Sequence, residues 1–314
     1  MRRPKLIIKT TILALVLVSL ALSSTLLAQD TKPAGSTVEL SMIVTDSTKK
    51  SVDKIQKEDV RVIEDKTEQT VLSVERDERP IDLVLAIDSS GSLRSLFPTV
   101  LESARVLIIN RRPEDEILLE RFISSDKIES VQVFTRDGNA LLAGLNKYYI
   151  ERGLSAVIDA LYVAASSFAK FNKTSRDRRK VVVIITDGED RNSYYKQEQL
   201  LKYLDQTGVQ VFALGLVIEL DKEAGLIRLS PRDKAEKLLK TVTSETGGRV
   251  FFPKNKTELM DSLQQLITDL RGQFRITYQS SKEKKGFRKV EVKLVSPNGE
   301  KRNAIVPRGY ESKS

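Results

Sequence analysis

Hydrophobic and polar positions alternate at period two near both ends of the chain. Val38, Leu40, Met42 and Val44 form one row, and Val60, Val62 and then Val71 to Val74 follow after polar turns. Successive side chains of a strand point to opposite faces, so this spacing predicts three short strands. The C-terminal stretch has the same texture. Phe274, Ile276 and Tyr278 form one row, Val290, Val292 and Leu294 a second, and Ala304 to Val306 follow a Pro297-Asn298-Gly299 turn. Neither meander is large enough to bury a core alone. Residues 36–76 and 273–310 are therefore expected to form a small β-rich flank, either as one composite sandwich or as two separate flaps.

Between them, over residues 80–272, the period changes. Ile81 to Asp88 is an apolar run ending in a carboxylate, and Leu96 to Ile109 has helical spacing. Ile117 to Phe122 and Val131 to Phe134 read as strands, and Leu154 to Phe171 reads as a helix. Val181 to Asp187 is almost purely aliphatic, the mark of a strand buried on both faces. Gln197 to Thr207 then reads as a helix, Val209 to Val217 as a strand and Lys234 to Glu245 as a helix stopped by Gly247-Gly248. Arg249 to Phe252 makes a last short strand and Leu259 to Leu270 a closing helix. Strand and helix in alternation specify an α/β fold, a doubly wound, mostly parallel sheet with helices on both faces.

Residues 1–28 are different. Arg2, Arg3, Lys5 and Lys9 precede an apolar run from Thr10 to Ala28, and Gln29-Asp30 follows at once. This is the layout of a secretory signal with cleavage after Ala28. Leu26 departs from the usual small residue at its position, so a retained membrane anchor is the alternative. The formal net charge falls from +9 to +5 once those four basic residues are set aside, and no nucleic-acid partner is implied. A chain that is exported yet has no Cys fits a bacterial envelope, periplasmic or extracellular, or held at the inner membrane if the signal stays.

The chain has no His and no Cys among its 314 residues. That removes Ser-His-Asp triads, thiol nucleophiles, His- or Cys-ligated metals and disulfides together. The remaining chemistry must run on carboxylates, hydroxyls, Lys, Arg and backbone groups. In a doubly wound sheet the ligand site lies beyond the carboxyl ends of the strands. Three polar clusters fall at such ends or at the start of an adjoining helix: Asp88-Ser89-Ser90-Gly91-Ser92, then Ser155 opening a helix, then Asp187-Gly188-Glu189-Asp190. Taken singly, each reads as a turn or a helix cap. Together, Asp88, Ser90, Ser92, Ser155 and Asp187 form an all-oxygen donor set with two carboxylates. Hard cations prefer such a set, Mg²⁺ first and Mn²⁺ or Ca²⁺ as alternatives. Glu189, Asp190 and Asp159 read as surface or capping carboxylates. The loop from Ile218 to Ser230 follows a strand end, which places Glu219, Asp221 and Arg228 on a rim beside the metal.

Over residues 80–272 the chain resembles the von Willebrand factor type A domain with its metal-ion-dependent adhesion site. Asp88, Ser90 and Ser92 match the pattern D-x-S-x-S in full. Asp187, in Ile184-Ile185-Thr186-Asp187-Gly188, stands where the family has its second metal-associated Asp. Ser155, in Gly153-Leu154-Ser155, stands where the family has Thr after two glycines, so both the hydroxyl-bearing residue and the second Gly depart from the pattern. The flanks also resemble exported bacterial relatives of that family, through Val60 to Asp65 and Phe287 to Val290. The resemblance implies a binding module, not an enzyme, in which an Asp or Glu of a protein partner completes the metal shell. Two other classes compete. One is a structural envelope protein whose metal site is vestigial or only stabilising. The other is a metal-assisted hydrolase, which lacks support from any Gly-rich phosphate loop, second metal cluster or His base.

Overall fold

Five consecutive aliphatic residues, Val181 to Ile185, are all fully buried in the computed structural model, which describes residues 36–312 except 174, 176, 222, 224–228, 283 and 296–298. Burying each contributes roughly 1.5–3 kcal/mol, so this short run anchors the sheet around it. The chain begins with three strands, β1 (Thr37–Thr45), β2 (Val60–Glu64) and β3 (Thr67–Arg76). Then come β4 (Ile81–Asp88), α1 (Phe97–Ile109), β5 (Glu116–Ser124), β6 (Lys127–Thr135), α2 (Gly138–Leu145) and α3 (Val157–Lys170). They are followed by β7 (Arg179–Thr186), α4 (Gln197–Thr207), β8 (Gln210–Gly215), α5 (Pro231–Glu245), β9 (Val250–Phe251) and α6 (Lys256–Arg271). Four strands close the chain: β10 (Phe274–Gln279), β11 (Gly286–Leu294), β12 (Asn303–Ile305) and β13 (Gly309–Ser312).

A six-stranded sheet runs in the order β6-β5-β4-β7-β8-β9, parallel throughout except for β6, which pairs antiparallel with β5. The strand period splits its side chains cleanly. Leu83, Leu85, Ile87, Val181, Val183 and Ile185 meet α1, α2 and α6 on one face. Val84, Ala86, Val182 and Ile184 meet α3, α4 and α5 on the other. This is the doubly wound α/β arrangement anticipated from the alternating pattern. Helix α2 was not anticipated. Its sequence Gly138 to Leu145 is short and holds two glycines, and its one clear signal is Asp137, whose carboxylate accepts the amides of Asn139 and Ala140.

The two terminal segments join in one seven-stranded antiparallel sheet, β12-β1-β10-β3-β2-β11-β13. The two segments thus form one unit, a single curled sheet and not a pair of separate flaps, and it wraps its own core of Met42, Val62, Ile276 and Tyr278. Edge strand β13 adds Gly309–Ser312, too short for a period to be read from it. Phe287 to Val290 and Val60 to Asp65, the two flank segments singled out in the sequence, lie side by side: Val290 pairs with Glu64, and the Lys289 amide donates to Asp65. Glu64 sits fully buried at the centre and accepts hydrogen bonds from Tyr278 Oη (2.8 Å), Ser280 Oγ (2.7 Å) and Tyr310 Oη (3.0 Å).

Both chain connections between the sheets lie at the amino ends of the parallel strands, where β3 leads into β4 and α6 leads into β10. Buried polar contacts reinforce that end. Arg79 and Arg179 face Asp77, Gln210 bonds Gln273, and Asp269 holds both Arg249 and Ser51. The carboxyl ends of the parallel strands therefore point away from the β-rich flank. No helix among the described residues is long and apolar enough to cross a membrane. The export signal expected over residues 1–28 lies outside the described residues, as do Pro297 and Asn298 of the expected turn.

Candidate metal site

From β4 the chain moves outward to β5 in one direction and later returns to lay β7 on the other side. The strand order thus reverses between β4 and β7, and a crevice opens beyond their carboxyl ends. Asp88 closes β4, and Thr186 closes β7 with Asp187 next in the chain. Asp88, Ser90, Ser155, Thr186 and Asp187 are all buried there, whereas Ser92 is exposed.

Each of these side chains is held by another. Asp88 Oδ1 accepts the Ser90 amide at 2.9 Å, and Asp88 Oδ2 accepts Thr186 Oγ1 at 2.6 Å and Ser155 Oγ at 3.3 Å. The hydroxyls of Ser90 and Ser92 lie 3.1 Å apart, and that of Ser92 also bonds Asp187. Asp187 Oδ1 accepts the Glu189 amide at 3.0 Å, while Thr186 Oγ1 accepts the Gly188 amide at 2.9 Å. Gly188 adopts φ +78, and a Cβ there would meet Leu239 Cδ1 at 2.8 Å, so the turn after Asp187 requires glycine.

Burial, and then the neighbouring charge of Asp187, push the Asp88 carboxyl from 3.8 up to about 6, against the pull of the Ser90 and Thr186 hydrogen bonds. Burial also raises Asp187. Neither carboxylate forms a salt bridge among the described residues. Two buried carboxylates that repel each other, ringed by hydroxyl oxygens and with no basic group nearer than Arg191, which pairs with Glu189 and only eases Asp187 from a distance, are the donor chemistry of a hard divalent cation. Among the described residues no third acidic side chain joins them in a ligating cluster.

The five residues named from the sequence thus meet at one crevice, with two corrections around them. Ser155 does not open its helix: α3 begins at Val157, Ala156 takes the cap position, and the Ser155 hydroxyl turns to Asp88 instead. Asp159 is not a surface carboxylate. It is 3% exposed and accepts the amides of Tyr194 (2.7 Å) and Tyr195 (2.9 Å), because the loop after β7 folds over the start of α3. Leu154 replaces a glycine of the family pattern at no steric cost, being half exposed and free of positive φ. Gly153 keeps its place because a Cβ would strike Ile123 Cγ2 at 2.6 Å. Thr186 was missed; the signal was a lone hydroxyl ending an aliphatic run. Glu219 and Asp221 line a cleft of about 260 Å³ together with Ser92 and Asp187, and Glu219 accepts Ser95 Oγ at 2.6 Å. Arg228 lies outside the described residues.

Compared with known proteins, residues 82–267, more than half of the chain, match the model of the von Willebrand factor type A domain. The chain is similar to human integrin alpha-X, 28% identical over 159 residues that make up 46% of this chain and 13% of the integrin. It thus spans only a small part of that relative's length. Among solved structures, the conserved hypothetical protein BatB from Bacteroides thetaiotaomicron aligns at TM-score 0.47 and 17% identity, over 60% of this chain and 98% of its own. A von Willebrand factor type A protein from Catenulispora acidiphila aligns at 0.49 and 11%, over 90% and 74%. Proximal thread matrix protein 1 from the mussel byssus, with a zinc-occupied MIDAS motif, aligns at 0.49 and 16%, over 62% and 49%.

Proposed function

The chain belongs to the von Willebrand factor type A domain family, and on that premise we propose that it is an exported binding module that captures a protein partner through a divalent cation. Asp88, Ser90, Ser92, Ser155 and Asp187 hold the cation, Mg²⁺ in the first instance, and a partner's Asp or Glu completes its shell. A cation bound there supplies positive charge that the protein neutralises only in part, which leaves it attractive to an outside carboxylate. Asp88 and Asp187 contribute the only charges of the set. Ser90 and Ser92 contribute neutral oxygens, and Thr186 and Ser155 fix the direction of the Asp88 carboxylate. Glu219, Asp221 and Arg228 belong to the rim on which the partner rests. The observation that carries this reading is the pairing of two buried, mutually repelling carboxylates at the crevice between β4 and β7.

Isothermal titration with Mg²⁺ and Mn²⁺, beside capture from envelope extract in Mg²⁺ and in chelator, tests it. Wild type binds the metal and retains a partner only in Mg²⁺. Asp88→Ala and Asp187→Ala lose the metal and the partner together, while Ser90→Ala and Ser92→Ala weaken metal binding and leave the fold intact. If Asp88→Ala binds Mg²⁺ as wild type does, the adhesion-site reading is wrong.

A further inference from the structure

Helix α3 begins without a cap of its own. Ala156, at the cap position, offers no side-chain acceptor, so the first amides of the helix need partners from elsewhere. The loop between β7 and α4 supplies them. Asp190 Oδ1 accepts the Ile158 amide at 3.1 Å, and Ser193 Oγ accepts the Asp159 amide at 3.2 Å while donating to Asp190 Oδ1. Asp159 repays the loop from the helix side: Oδ1 takes the Tyr195 amide, and Oδ2 takes the Tyr194 amide and the Ser125 hydroxyl. Ser155, just before the helix, is tied to the same loop: its carbonyl accepts the amides of Arg191 (2.8 Å) and Asn192 (3.3 Å). Tyr195 stacks on Tyr162 of α3 with ring centroids 3.9 Å apart, which fixes the far end of the loop to the same helix.

We propose that Asp159 is a positioning residue for Ser155. With Asp190 it closes a reciprocal clamp between the start of α3 and the loop carrying Asp187, and the clamp holds the Ser155 hydroxyl against the Asp88 carboxylate. Asp159 itself touches none of Asp88, Ser90, Ser92 or Asp187; its influence passes through the Ser155 backbone. Ser125 extends the same clamp to the turn between β5 and β6, so three segments of chain converge on one buried carboxylate. The part of this inference that concerns metal affinity rests on the adhesion-site reading, whereas the clamp itself does not.

The test is Asp159→Asn, which keeps the shape but sets an amide N–H against groups that donate to Oδ2. Ser193→Ala is a milder break of the same clamp. Amide hydrogen exchange in chelator is read first: the Arg191, Asn192, Tyr194 and Tyr195 amides should exchange at least tenfold faster in Asp159→Asn, with the far strands unchanged. Unchanged exchange at these four amides overturns the clamp. Mn²⁺ titration is read second. Asp159→Asn should weaken Mn²⁺ binding about tenfold, the scale seen when a group that orients a metal ligand is removed. In a Ser155→Ala background the same substitution should cost nothing further, a non-additivity that a merely structural role does not produce. Additive losses, or wild-type affinity in Asp159→Asn, overturn the positioning role. Absence of Mn²⁺ binding in wild type sinks the adhesion-site reading and with it the affinity arm; faster exchange in Asp159→Asn would still support the clamp.

Discussion

Glu64 and Asp88 are both fully buried carboxylates at the heart of their respective sheets, yet their surroundings differ in kind. Glu64 is met by three hydroxyl donors from β10, from the residue just after it and from β13, so one side chain of the N-terminal segment fastens three points of the C-terminal one. Asp88 is met by hydroxyls and an amide on one side and by the charge of Asp187 on the other, and its carboxyl rises to about 6 as a result. The contrast separates an acid that holds the fold from an acid held by it. A buried carboxylate with its donors satisfied adds stability, whereas one left facing another carboxylate stores a demand for positive charge.

The largest effect should come from Glu64→Ala. It strands the hydroxyls of Tyr278 and Ser280 in the core and should cost about 3–4 kcal/mol in denaturant unfolding. A loss below 1 kcal/mol would erase the distinction between the two acids.

A smaller effect, of opposite sign, is expected at Asp88 in metal-free protein. Its folded carboxyl titrates near 6 against an ordinary 3.8, so the stability it contributes is complete below about pH 4 and is lost as pH climbs through 6. In chelator the stability of wild type relative to Asp88→Asn should therefore fall over that window by about 2 kcal/mol, a contribution opposite in sign to ordinary acid denaturation. Asp88→Asn should flatten the slope and melt higher than wild type at pH 7. A gap between Asp88→Asn and wild type that does not widen from pH 4 to pH 7 would contradict the strain assigned to this pair.

The smallest effect sharpens the comparison. Thr186→Val removes one donor from Asp88, which should cost about 1 kcal/mol and move the midpoint of the pH-dependent loss above 6. A midpoint that stays put would mean that Thr186 is a spectator.

What the sequence disclosed depended on the scale at which its signal is written. Val181 to Ile185 announced a central strand because five aliphatic residues in a row have no polar face to expose. Asp88, Ser90 and Ser92 were legible because a strand end and a spacing of two fix where such side chains can go. Asp159 was not. Periodicity identifies apolar positions facing a core, but it is blind to a carboxylate buried by a loop that arrives thirty-odd residues later in the chain. Thr186 was hidden for a related reason, since a hydroxyl after five aliphatics looks like the end of a strand rather than a partner of Asp88. The single curled sheet was half legible. Matched period-two texture at both ends implied that the segments belong to a common β-rich flank, but register is set by pairs such as Val290 with Glu64, which no local pattern records.

The junction between the sheets has a topological consequence. Arg76, the last residue of β3, pairs with Phe274, the first of β10, and the Asp77 amide donates to the Gln273 carbonyl. To the seven-stranded sheet, β3 and β10 are thus the two arms of an ordinary antiparallel hairpin, and residues 77–273 occupy the place of its turn. Closing a flexible loop becomes costlier with length only slowly, and an insert that folds with its own ends side by side asks no more of its host than a tight turn does. In topology the α/β unit is thus an insert carried by one hairpin, yet it also packs on its host: Ile43 of β1 and Ile305 of β12 join its core, and Arg308 reaches back to Asp205 and Glu245.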